Sequence, residues 1–190
     1  MIMTTTTVTY RTPHALFHPA FLTHIVAEAA GRRTVIVSAN AQHVQYLKQQ
    51  IAVNQALIYV NKRQKAEWLA KQLSAQGFTL EYIHGEMEVG ERKKRMEDFR
   101  SGSVRVLIST DLLARGIDVQ QVSLVVNYEL PMQRENYVHR IGRSGRYGKK
   151  GVAINLIYGD EMNTMKEIER HYSTNISALP EDLAALSAVC

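Results

Sequence analysis

Val104-Arg105-Val106-Leu107-Ile108-Ser109-Thr110-Asp111 passes from an almost unbroken apolar run into three small polar residues. A strand with one wet face alternates polar and apolar residues, so a run without alternation suits a strand covered on both faces. Before it, residues 91–100 read as a strongly charged helix that Gly102 ends. After it, 122–127 reads as a strand, 134–141 as a helix, 152–157 as a strand and 161–172 as an amphipathic helix. Upstream lie a strand over 56–60, a helix over 63–74 and a strand over 78–83. In that helix Ala66, Leu69, Ala70 and Leu73 share one face at i, i+3, i+4, i+7, Trp68 lies off the stripe as a packing residue, and Gly77 stands just past the end. Strands alternating with helices of ten or so residues imply an α/β sandwich with a mainly parallel sheet. Sheets of this kind bind ligands beyond the carboxyl ends of their strands, which singles out Ser109-Thr110-Asp111 and His84-Gly85.

The first part of the chain is less informative. Residues 1–13 hold a run of four threonines and no apolar periodicity, so residues 1–30 are expected to be an irregular or weakly ordered leader, with a short helix over 19–30 as its one candidate element. Residues 31–54 contain a β-branched stretch at 34–38 and a helix capped by Asn40, or else an extended linker. A shift of 22 residues aligns Ile36 with Ile58 and Leu47 with Leu69, which marks two generic strand-helix units and not a repeat array. Residues 55–190 are expected to form the one full domain.

A chain of 190 residues suffices for one domain with a complete core. The net charge of +5 favours a polyanionic partner. The single cysteine, Cys190, excludes an intrachain disulfide framework and a cysteine zinc cluster, which fits a reducing compartment, cytoplasmic or nuclear. The apolar stretch 15–30 is broken by His18, Pro19, His24 and Glu28, so no membrane partner is expected.

His139-Arg140-Ile141-Gly142-Arg143-Ser144-Gly145-Arg146-Tyr147-Gly148 sets arginines every third residue from Arg140 to Arg146 among glycines. Guanidinium groups recognise phosphate oxygens bidentately and stay charged at any accessible pH, and glycine lets backbone approach a ligand closely. A solvated basic loop is the bland alternative. These ten residues resemble motif VI of the DEAD-box RNA helicases. Ser109-Thr110-Asp111-Leu112-Leu113-Ala114-Arg115-Gly116-Ile117-Asp118-Val119 resembles motif V of the same family, Leu57 to Lys62 occupies the motif IV position, and Phe99-Arg100-Ser101-Gly102 resembles motif IVa.

The resemblance implies the C-terminal, RecA-like three-layer lobe of a two-lobe machine that uses ATP with Mg²⁺ and binds single-stranded RNA across the cleft. It implies that Arg143 and Arg146 are arginine fingers on the γ-phosphate. Gly116, Asp118 and Tyr147 would line the nucleotide, with Asp118 on the ribose and Tyr147 beside the adenine or merely packed. Gly85, Arg100, Thr110 and Arg115 would contact RNA, with Arg115 alternatively tying motifs together, and His139 and Arg140 would face the other lobe. Where the family has Gln-x-x-Arg this chain reads Val89-Gly90-Glu91-Arg92, a change that weakens the expected RNA surface. Residues 119–131 and 168–176 are most similar to the initiation factor 4A branch. Partners then include a separate first lobe and a helical-repeat scaffold such as initiation factor 4G. No metal site is expected, because neither His139 nor the scattered histidines have ligands at metal spacing.

The chain contains no Gly-x-x-x-x-Gly-Lys-Ser/Thr and no Asp-Glu-Ala-Asp, so the lysine that reaches the outer phosphates and the carboxylates that hold Mg²⁺ must come from another lobe. Two functions follow as alternatives: the second lobe of an ATP-dependent helicase, or a non-catalytic RNA- or scaffold-binding module.

Overall fold

A computed structural model describes residues 11–12, 55–75, 77–111, 122, 124–144, 152–158 and 161–176. Among the described residues five strands form one sheet: β2 (Ala56–Tyr59), β3 (Leu80–Ile83), β4 (Val106–Ser109), β5 (Leu124–Asn127) and β6 (Val152–Asn155), in the order β3-β4-β2-β5-β6. Every pairing is parallel, with Ala56 opposite Val106 on one side and Leu124 on the other. Parallel neighbours need crossovers, and the described helices supply three of the four: α1 (Arg63–Ala75), α2 (Val89–Arg100) and α3 (Arg134–Ile141), with α4 (Glu161–Tyr172) following the last strand. All carboxyl ends therefore lie along one edge.

The central strand β2 is buried throughout, and its side chains alternate between two cores. Ala56 and Ile58 join Ile108 and Val126 beneath the α1 stripe of Ala66, Leu69, Ala70 and Leu73. Leu57 and Tyr59 join Leu107 and Val125 beneath Met96 and Phe99 of α2, Tyr137 and Ile141 of α3, and Met165 and Ile168 of α4. Three layers result.

Most element bounds agree with the sequence reading, and the differences have local causes. Val104 stays out of β4 because its N–H donates to the Asp98 carbonyl at 3.1 Å, which closes the turn after α2. Gly102 (φ +81°) and Gly77 (φ +86°) take the left-handed conformation that ends α2 and α1. The strand expected over 152–157 divides at Leu156, whose N–H still donates to Asn127, and the chain then leaves the main sheet as β7 (Ile157–Tyr158). β7 pairs in parallel with β1 (Arg11–Thr12), so the leader holds a strand at a place where no apolar pattern signalled one. The helix expected over 19–30, the strand over 34–38 and the helix after Asn40 lie outside the described residues.

Candidate functional site

Tyr59, Ile83, Ser109, Asn127 and Asn155 end the five strands, and the turns that follow them carry Asn61, Gly85, Thr110-Asp111 and Glu129. Over this edge lies α3, whose buried residues Tyr137, Arg140 and Ile141 follow i, i+3, i+4 spacing. Arg140 thus falls on the helix's inner stripe, and its exposure is 0%. Its guanidinium lies 5.1 Å from the centre of the Tyr59 ring. Arg140 Nε donates to Asp111 Oδ1 at 2.5 Å and Nη2 donates to Asp111 Oδ2 at 2.9 Å, a two-pronged fork on one carboxylate. Nη2 also donates to Asn61 Oδ1 at 2.8 Å, while Nη1 donates to the Glu129 carbonyl at 2.7 Å and Asn127 Oδ1 at 3.4 Å. Arg140 was expected to face another lobe. Its charge is instead satisfied inside the domain, because the planar fork matches acceptors arriving from three strand ends.

Around this hub the turns are bonded to one another. Asn61 donates its backbone N–H to Glu129 Oε2 at 2.8 Å and its side-chain amide to the Leu130 carbonyl at 2.9 Å. Asn136 Nδ2 donates to Asp111 Oδ2 at 3.3 Å. The turn after β3 is tied to α1 through the Arg63–Glu86 pair and through His84 Nε2, 3.2 Å from Glu67 Oε1.

The expected site residues divide sharply in this frame. Thr110 is half-buried beside Asp111, and Gly85 is exposed on the neighbouring turn, since Ile83 is in register with Ser109. His139 is exposed. Arg143 is only 9% exposed: its Nε donates to the His139 carbonyl at 3.3 Å, and its own carbonyl accepts from Val122 at 3.4 Å. Its guanidinium stands near the Tyr59 hydroxyl, without a hydrogen bond of normal geometry to that buried oxygen. Burial pushes the Tyr59 phenol well above its usual value, and the positive charges of Arg143 and Arg140 offset only part of the rise.

Arg100 lies elsewhere. It ends α2, whose twelve residues span about 18 Å, and the adjacent Phe99 carbonyl accepts from the Gln55 side chain at the amino end of β2. Arg100 is thus not brought together with Gly85 and Thr110. Arg115, Gly116, Asp118, Arg146 and Tyr147 lie outside the described residues. Sequence reading missed Asn61, Asn127, Glu129 and Asn155 as members of the edge, and the i, i+3 spacing of Tyr137 and Arg140 was the signal that would have found the hub.

Among the described residues no group of three or more His, Cys, Asp or Glu side chains is placed to hold a metal ion.

Residues 41–148 match the helicase conserved C-terminal domain, beginning upstream of the motifs that carry the resemblance. The E. coli DEAD-box protein SrmB, solved bound to regulator of ribonuclease activity A, is 30% identical, with a TM-score of 0.73 over 97% of this chain and 95% of that one. The chain belongs to the DEAD-box family of helicase C-terminal domains. Its three-layer sandwich is the RecA-like fold of that family. The S. cerevisiae protein Dbp5, solved in its L327V form with RNA and ADP BeF3, is 33% identical, with a TM-score of 0.69 over 75% of this chain and 40% of that one. The ATP-dependent RNA helicase eIF4A of Aspergillus niger is 56% identical over 140 residues, 74% of this chain and 35% of the relative. The chain therefore spans about a third of the length of the curated relatives it matches.

Proposed function

We propose that this domain is the second lobe of an ATP-dependent RNA helicase close to eIF4A, working in translation initiation or related RNA metabolism in the cytoplasm or nucleus. The observation that carries the reading is the Arg140–Asp111 fork, because it joins the arginine turn to the Thr110-Asp111 turn at one edge, where the first lobe with its nucleotide and RNA can meet both. In this reading Arg143 and Arg146 are the arginine fingers, Gly116, Asp118 and Tyr147 line the nucleotide, and Gly85, Thr110 and Arg115 hold the RNA backbone. Phosphate contacts of that kind fix register without reading sequence. His139 meets the first lobe. ATP supplies the phosphoryl group, and Mg²⁺ is held mainly by the first lobe. A helical-repeat scaffold such as initiation factor 4G is a further partner of the same lobe.

Arg143 is largely covered, so its part in this function requires the side chain to swing outward when the lobes close. The test mixes the chain with a separately purified first lobe of an eIF4A relative. Alone, the chain shows no RNA-stimulated ATP hydrolysis; the mixture restores it, and Arg143→Ala or Arg146→Ala lowers the restored rate on the order of 10³-fold or more. Turnover by the chain alone overturns the reading. RNA or scaffold binding without restored hydrolysis supports a non-catalytic module, which the covered state of Arg143 favours.

A further inference from the structure

We propose that Asn155 and Asn127 are positioning residues which, through a buried polar relay from Tyr137 to Arg140, fix the rotation of α3 and thereby the aim of Arg143. The relay has two ends and both are on α3, one turn apart. Asn155 Nδ2 donates to the Tyr137 hydroxyl at 3.0 Å, Asn127 Nδ2 donates to Asn155 Oδ1 at 2.7 Å, and Arg140 Nη1 donates to Asn127 Oδ1 at 3.4 Å. Tyr137, Arg140, Asn127 and Asn155 are all essentially inaccessible to solvent.

Such a relay is a costly way to fill space. The last residues of β5 and β6 sit in a core where valine or leucine would pack without desolvating an amide, and replacing buried polar groups by apolar ones of similar volume is often neutral or stabilising. Direction is what the amides add. Apolar contacts tolerate rotation of a helix over a sheet, whereas hydrogen bonds weaken steeply with angle, so bonds at two points a turn apart admit one rotation. Among the described residues only the Tyr59 hydroxyl and His84 Nδ1 are buried without a hydrogen-bond partner, so the relay itself is complete.

The rotation is passed directly to the arginine turn. Gly142 N–H donates to the Val138 carbonyl at 2.8 Å, Arg143 N–H to the Arg140 carbonyl at 3.3 Å, and Arg143 Nε to the His139 carbonyl at 3.3 Å. Backbone and side chain of Arg143 are thus both referenced to the last turn of α3. The importance of that aim for hydrolysis rests on the reading of Arg143 given above; the mechanical link does not.

The test uses the whole chain and the Nε–Hε cross-peak of Arg143 in a ¹H–¹⁵N spectrum, assigned by its loss in Arg143→Lys. The triple variant Tyr137→Phe, Asn127→Val, Asn155→Val removes the relay while leaving Arg140 bonded to Asp111, Asn61 and the Glu129 carbonyl. Expected are cooperative unfolding with a midpoint near that of the parent and a displaced or multiple Arg143 cross-peak. A folded triple variant with that peak unmoved overturns the proposal, because a purely structural relay alters stability and not the arginine's surroundings. Tyr137→Phe alone, which deletes one terminal hydroxyl, serves if the triple variant does not fold, and an unmoved peak there also overturns it. With a first lobe added, kcat for ATP hydrolysis falls on the order of 10²-fold in the triple variant, the scale of a misplaced catalytic group. Absence of hydrolysis from the parent mixture counts against the helicase reading and leaves the spectral result to stand by itself.

Discussion

The two sides of the sheet are held by different physics. On the α1 side, Ala66, Leu69, Ala70 and Leu73 press on Ile58, Ile108 and Val126, and this layer depends on removing apolar surface from water. Under α3, at the carboxyl edge, a fully buried guanidinium is bonded to one carboxylate, two amide side chains and a carbonyl. The first arrangement degrades gradually as methylenes are lost. The second depends above all on the charged pair, since a buried ion whose counter-ion is removed keeps its desolvation cost and loses its compensation.

Arg140→Ala tests this contrast hardest. It strips the Asp111 carboxylate of both prongs and leaves acceptors on Asn61, Asn127 and Glu129, so stability should fall by about 4 kcal/mol, measured by urea unfolding. A loss below that of a single leucine would mean that water enters the edge freely. Leu69→Ala, on the dry side, should cost roughly 3 kcal/mol by creating a cavity, and urea unfolding should still be a single transition. The smallest effect is expected in alkali. The Tyr128 phenol, at the margin of the α1-side core, is pushed up to about 12 from an ordinary 10.0 by burial and, to a lesser extent, by the Glu129 carboxylate. The unfolded chain thus releases this proton first, and the stability conferred by the neutral phenol is complete below pH 10 and is lost as pH rises toward 12. Tyr128→Phe should flatten the decline of the unfolding midpoint over that interval, and an unchanged slope would place the alkaline sensitivity at Tyr59 on the other side of the sheet.

What could be read without coordinates follows the same division. The α1 stripe was legible residue by residue, as were the bounds of α3 and α4, because apolar periodicity reports burial directly. The carboxyl edge was located from Ser109-Thr110-Asp111, yet its organisation was not. Arg140 counts as polar in any periodicity, and its partners lie up to 79 positions away in the sequence, at Asn61. The family resemblance also grouped Arg100 with Gly85, whereas the rise of α2 carries it to the opposite end of the strands. Sequence similarity conveyed which residue types recur in the family; only the packing shows that Arg140 faces inward and His139 outward.

The pairing of Arg11–Thr12 with Ile157–Tyr158 bears on how the domain can be trimmed. A fragment started at the first strand of the main sheet would strip β7 of its neighbour and leave peptide groups available to any extended polypeptide, including another molecule of the same fragment. Shortened versions are thus expected to be less soluble, because among the described residues a parallel register two residues long ties to β7 a dipeptide more than forty positions upstream of the main sheet.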